Sequence, residues 1–287
     1  MTATDAPKDG AAICADLVRT HDFVRYASTL FVPAPERRAL LSIWAFNVEV
    51  TRVHELVSQP LPGEMRLQWW SDMLAGTEHG SIEGNPVAAE LLQTIRKHRL
   101  PVSALSRLVE EHQFDLYNDP MPSLAALEGY LEATASALFL LVARVMARPS
   151  EAIDHLARHA GLAQGMAQVI ATLARDASRQ QLFLPLEILQ QHGSSTAEVF
   201  AGKPTPAIRA SVAQLAGEAQ RHLATALDLL ADVPSEVRRV FLPLAQVRRE
   251  LTLMARADYD PFLPKPASRL RVLWTLWRAA RGRQFGA

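Results

Sequence analysis

An all-α, single-domain helical bundle is the fold class that this sequence predicts. Nearly every long segment carries apolar residues at helical spacing, and strand-like alternation is scarce. Prolines stand at or near the head of these segments, as at Pro35, Pro62, Pro86, Pro101, Pro122, Pro149, Pro206 and Pro234. A proline costs nothing there, because the first turn of a helix leaves its N–H groups unpaired anyway. No shift of composition divides the 287 residues, so one large domain is the simplest organisation.

Taken in order, the polar stretch 1–10 has no apolar run and is expected to be disordered, with no signal core. The helical domain spans 11–257. Its periodic runs predict helices over 12–30, 35–58, 63–76, 86–99, 102–118, 123–147, 150–175, 206–231 and 235–257. Pro243 falls inside the last run and is expected to kink it. Residues 177–205 read as a broken stretch with a short helix near 186–192. Residues 258–268, with three prolines among Asp258, Asp260 and their neighbours, read as a connector. A basic amphipathic helix closes the chain over 269–287. No repeat of the solenoid kind is present.

Composition narrows the function. Lys plus Arg balances Asp plus Glu at 30 each, so the overall charge points neither to nucleic acid nor to an acidic partner. Cys14 is the one cysteine, which excludes an internal disulfide and a thiolate zinc site and suits a reducing compartment. No window approaches the ~18 uninterrupted apolar residues of a spanning helix, so a cytoplasmic location is expected, with peripheral contact at the inner membrane through the C-terminal helix. Gly-rich phosphate loops, nucleophile elbows and dinucleotide motifs are absent.

Two segments carry chemistry. Trp44-Ala45-Phe46-Asn47-Val48-Glu49-Val50-Thr51-Arg52-Val53-His54-Glu55 and Gln168 to Asp176 each read Thr-x-x-x-acid, as Thr51/Glu55 and Thr172/Asp176. Residues four apart share one face of a helix, ~5–6 Å apart at Cβ. Two aspartates so spaced can share Mg²⁺, and two such helices facing one another can clamp a diphosphate and stabilise departing pyrophosphate. Here the first position of each pair is threonine rather than aspartate.

At these residues the chain resembles the squalene/phytoene synthase family, over about 21–257. The resemblance rests on Trp44-Ala45-Phe46, on Arg66-Leu67-Gln68-Trp69-Trp70 with Leu74, and on Tyr130 with Thr134-Ala135-Ser136. It also takes in Gly161, the second motif, and Leu182-Phe183-Leu184-Pro185. It implies the isoprenoid-synthase type of bundle, with a central cavity ringed by the two motif helices. It puts the family's leading Asp-Asp on Thr51 and Arg52 and the later Asp on Glu55. In the second motif it puts the leading Asp on Thr172 and the trailing one on Asp176, with Arg175 where an acid lay between; the upstream Gln and Asn fall on Gly165 and Gln168. Glu55 and Asp176 are the acids that remain.

Three uses of these residues stay open on the sequence. Glu55 and Asp176 pair with Arg52 or Arg175; or the arginines themselves hold an anionic headgroup; or Glu55 and Asp176, supported by Glu49, still bind Mg²⁺ for a prenyltransferase joining two isoprenyl diphosphates head to head. Asn47, Glu49, Arg66, Trp70, Tyr130 and Gln168 complete the expected cavity set. No cofactor is expected apart from Mg²⁺ on the enzyme reading. Ala45 to Glu49, Arg66 to Trp70, and Phe114-Asp115-Leu116-Tyr117 with Asp119-Pro120-Met121-Pro122 resemble most the branch that contains the respiratory complex I assembly factor. That implies a non-catalytic role in complex I biogenesis, with a complex I subunit or assembly factor as partner and an isoprenoid or other lipid as ligand.

The C-terminal helix carries Trp274, Trp277, Arg278 and Arg281, suited to a membrane interface or to packing on the bundle with a solvated basic face. His155 and His159, four apart, read as a surface pair rather than metal ligands. His54 reads as structural, and Trp69 and Trp70 divide between core and pocket lining. Glu111 and His112 form no constellation in the sequence.

Overall fold

The computed structural model describes residues 9–77, 84–256 and 258–285, and among these every element is helical. Residues 1–8 of the stretch expected to be disordered lie outside that description, but Gly10 already opens α1 (Gly10–His21). The expected helix 12–30 is two. Asp22 leaves helical geometry and its carboxylate accepts the Arg25 N–H at 3.1 Å, capping α2 (Phe23–Thr29). The next helix, α3 (Ala34–Thr51), is buried on nearly every side from Ala39 to Val48, as a central helix must be. Helix α4 (Val53–Leu56) follows after a break at Arg52, so 35–58 is not one helix either. Helix α5 (Pro60–Ala75) begins three residues earlier than expected and ends on Gly76, whose φ of 73° suits glycine.

Helix α6 (Pro86–His98) lies against α1 and α3, tied by Glu90, which takes Arg38 Nε and Nη2 at 2.8 and 2.7 Å. Burial, with the Glu90 charge beside it, pushes the Cys14 thiol up to about 12, so it packs here as a neutral side chain. Helix α7 (Val102–Glu111) stops short of 118 and gives way to a 3-10 turn, Phe114–Leu116. Helix α8 (Leu124–Leu131) and α9 (Ala137–Met146) are joined by a π-helical segment, Glu132–Ser136, whose extra residue per turn shifts which side chains face inward. By length and composition Leu124–Met146 could cross a membrane. It instead packs on α3, α7 and α10 (Glu151–Ser178), with Leu127, Leu138, Phe139, Leu141 and Val142 at 2% exposure or less.

Helix α10 packs along α9, α13 (Pro206–Leu229) and α15 (Pro243–Met254). Its buried positions recur every three or four residues toward both ends and are nearly continuous from Ala160 to Ile170, and each buried aliphatic contributes about 1.5–3 kcal/mol of apolar transfer. The broken stretch holds α11 (Leu186–Gln191) and a second short helix, α12 (Thr196–Phe200), whose capping box pairs Ser195 with Glu198. Before α15, α14 (Ser235–Arg238) runs into a 3-10 turn, so Pro243 opens a helix rather than kinking one. Helix α16 (Arg269–Ala280) lies on α15 and α2.

Aromatic side chains pack on one another in the interior between these helices. Phe139 stacks on Phe241 at 5.3 Å and meets Trp44 edge-on at 6.4 Å. Trp70 meets both Phe46 and Trp69 edge-on at 5.0 Å. Trp70 is therefore core and Trp69 half-buried beside it.

Candidate functional site

Helix α3 ends at Thr51, and the turn at Arg52 lets α4 bring Glu55 to the last turns of α10. Arg175 donates from Nη1 to Glu55 Oε1 at 3.1 Å and from Nε to Asp176 Oδ1 at 3.2 Å, joining the two surviving acids. Arg52 Nε and Arg179 Nη1 stand 3.6 and 3.7 Å from the Glu55 carboxylate. Three guanidiniums against two carboxylates leave a net charge of +1 here (3 − 2). The structure thus brings Arg52, Glu55, Arg175 and Asp176 together, with the half-exposed Arg175 turned toward both acids. Arg179 was missed in the sequence; it lies four residues beyond Arg175, on the same helical face by spacing.

Neither motif threonine points its hydroxyl at that cluster's acids. Thr51 Oγ1 donates to the Asn47 carbonyl at 2.8 Å, and Thr172 Oγ1 to the Gln168 carbonyl at 3.0 Å, each four residues back on its own helix. Gly165 stands where the resemblance puts a glutamine, and its place is filled: a Cβ there would lie 2.4 Å from Leu131 Cδ2. One turn earlier, a Cβ on Gly161 would lie 2.2 Å from Ser136 Cα, so α10 and the π segment touch backbone to backbone.

Magnesium asks for several hard oxygens in octahedral array. Both carboxylates here already hold guanidinium, both hydroxyl protons are spent within their helices, and the surplus charge is positive. Among the described residues no three His, Cys, Asp or Glu side chains are grouped for a metal. The donor set does not fit a trinuclear Mg²⁺ cluster.

The other expected residues scatter. Asn47 is buried and Glu49 half-buried on α3, while Arg66 and Gln168 are exposed. Arg66 has no ion-pair partner among the described residues. His54 is half-buried with Nδ1 unpartnered.

Tyr130 belongs to a network that the sequence did not reveal. Its hydroxyl donates to Asp115 Oδ1 at 2.9 Å, and His112 Nδ1 meets Asp115 Oδ2 at 2.7 Å. His112 and Asp115 are 5% and 6% exposed, and Gln181 Nε2 donates to the Asp115 carbonyl at 2.6 Å. Phe114 and Phe183 close over Tyr130 at 6.1 and 6.0 Å between ring centroids. Burial, then the Asp115 charge and hydrogen bond, hold the Tyr130 phenol well above its ordinary range, so it stays a donor. The absence of a constellation around His112 is thereby corrected. The His-x-x-Asp spacing across the turn after α7 was the available signal. His159 likewise is no partner of His155: it faces His222 on α13, Nδ1 to Nδ1 at 2.9 Å, with Glu128 3.4 Å from His222 Nε2.

At the other end of the chain, α16 buries only Val272 and Leu276. Trp274 and Trp277 point out, 56% and 47% exposed, and carry Arg278 and Arg281 over their rings at 5.4 and 4.4 Å. The helix thus packs on the bundle, as one of the two expectations had it, and leaves both tryptophans outside.

Comparison with known proteins accords with this geometry. A family model described as squalene/phytoene synthase matches residues 18–278. The chain is 32% identical over 251 residues to the mouse (Mus musculus) NADH dehydrogenase (ubiquinone) complex I, assembly factor 6, covering 88% of this chain and 75% of that one. It is 25% identical over 216 residues to the presqualene diphosphate synthase of Rhodopseudomonas palustris, covering 74% and 76%. Among solved structures, a squalene synthase from Alicyclobacillus acidocaldarius superposes with a TM-score of 0.75 at 22% identity, covering 88% of this chain and 95% of that one, which shows the shared fold.

Proposed function

The chain belongs to the squalene/phytoene synthase family, and from that premise we propose that it is a non-catalytic member, acting in assembly of respiratory complex I at the membrane surface. The observation that carries this reading is Arg175 bridging Glu55 and Asp176, in the place where the family's chemistry would need metal-bound carboxylates. The greater likeness to a complex I assembly factor than to a synthase supports it. The partner is a complex I subunit or assembly factor. Leu56, Leu61 and Met65, each more than half exposed beside the Glu55 turn, supply an apolar face for it. The protein works from the cytoplasmic side of the inner membrane, with α16 against the lipid.

Deleting the gene and measuring assembled complex I by native electrophoresis, alongside NADH oxidation by membranes, tests this. The reading expects both to fall. Normal amounts and normal oxidation defeat it.

The second reading, a prenyltransferase, is favoured by one observation: Glu55 and Asp176 do converge from the two motif helices. It needs Arg175 displaced. Pyrophosphate release from farnesyl diphosphate that requires Mg²⁺ and is abolished by Asp176→Ala would favour it over assembly. A lipid bound in the bundle would appear by native mass spectrometry in either case.

A further inference from the structure

Cations gather without acids where α16 lies on α15. Between α15 and α16 runs a groove of about 870 Å³, lined by Arg248, Arg249, Arg271, Arg278 and Arg283, with Trp274 at its edge and no acidic side chain among the lining residues. That volume lies in the ordinary range of ligand sites. None of the five has an ion-pair carboxylate among the described residues. Glu250 lies close enough to Arg249 for their charges to be felt, but its side chain accepts from Gln246 instead, at 2.8 Å. Arg249 Nη1 is out of reach of solvent and has no hydrogen-bond partner. A guanidinium N–H withdrawn from water and left unpaired is costly, and an incoming anion oxygen relieves it.

The groove is a consequence of how α16 is seated. Val272 and Leu276 hold it on the bundle, which sets Arg271, Thr275 and Arg278 toward α15 and leaves Leu270, Trp274 and Trp277 outward. Leu270 is 80% exposed, and Leu263, just upstream, 69%. Cationic walls thus open beside outward indoles and leucines. Phosphate oxygens and acyl chains meet in that order at the surface of a bilayer, where tryptophan settles at headgroup depth.

We propose that the α15–α16 groove is a binding site for the phosphate of an anionic phospholipid headgroup, entered while Trp274, Trp277 and Leu270 lie in the interface. Free phosphate or pyrophosphate shares the headgroup's chemistry; the outward apolar side chains select the lipid. The proposal rests on the membrane-surface part of the assembly reading. Its test is separate, because vesicle binding is measured on purified protein without complex I.

The full-length protein is floated with phosphatidylcholine vesicles, with and without a minority of phosphatidic acid. The expected result is salt-sensitive binding to the acidic vesicles, accompanied by a blue shift of tryptophan emission. The Arg248→Gln/Arg271→Gln variant should weaken that binding about thirtyfold, at ~1 kcal/mol for each arginine near an anionic surface. Arg278→Gln alone should weaken it less, and serves if the double variant fails a circular dichroism check of folding. Excess inorganic pyrophosphate or a short DNA duplex should leave the protein on the vesicles. Equal binding to both vesicle types, or binding unchanged in folded variants, overturns the proposal. Full displacement by pyrophosphate assigns the groove to a free phosphate compound instead, and equal competition by DNA to a polyanion; either also overturns it.

Discussion

The motif junction and the C-terminal groove are both lined with arginine, and their arginines are in opposite conditions. At the junction, Arg175 spans Glu55 and Asp176, with Arg52 and Arg179 close to Glu55. In the groove, five arginines stand without an ion-pair carboxylate among the described residues. The difference teaches where binding capacity lies in this chain. A guanidinium already matched to carboxylate has little left for a ligand, whereas an unmatched one is a standing demand for an anion. The shared fold has been kept, the two surviving motif acids are matched by arginine, and the unpaired charge stands between α15 and α16.

The strongest way to break the comparison attacks the packed side. Gly161→Ala forces a methyl into the Ser136 backbone and should cost about 3 kcal/mol, read from the urea midpoint, because neither helix can move far in a filled interior. A cost below about 1 kcal/mol would mean the interior is looser than the contact implies. Arg175→Ala should cost about 1–2 kcal/mol: Asp176 is almost wholly buried and loses its partner, but Arg175 itself is half-exposed and solvent screens part of the pair. High salt should shrink that loss.

A smaller effect comes from His159. Burial first, then the neighbouring His222 and Arg158, lower its pKa below the ordinary 6.5. The folded state therefore binds this proton less readily than the unfolded chain, and stability should fall as pH drops below about 6.5. His159→Gln should flatten that slope in thermal melts recorded across the range. The smallest effect on stability belongs to the groove. Arg248→Gln/Arg271→Gln should leave the melting temperature unchanged, because no intramolecular partner is lost, while vesicle binding drops. A marked fall in melting temperature would show that the groove charges are structural after all.

Much of this was legible in the sequence, for identifiable reasons. Helix starts at proline were readable because the residue's missing donor dictates the position. The two Thr-x-x-x-acid motifs were readable because fixed helical spacing places both residues on one face. Breaks were not. Asp22 divides α1 from α2 by a side-chain cap, and Arg52 divides α3 from α4, where apolar periodicity runs on undisturbed. Networks that close across the chain were also hidden: Tyr130 reaches Asp115, and His159 reaches His222 63 residues away, through packing that no local spacing encodes. The direction of Arg175 belonged to the same class, since it depends on where α4 places Glu55.

Calorimetry with pyrophosphate, run with and without Mg²⁺, tests the central claim most directly. A junction whose acids are held by Arg175 predicts no Mg²⁺-dependent heat. Tight uptake that requires Mg²⁺ and disappears in Asp176→Asn would contradict the account.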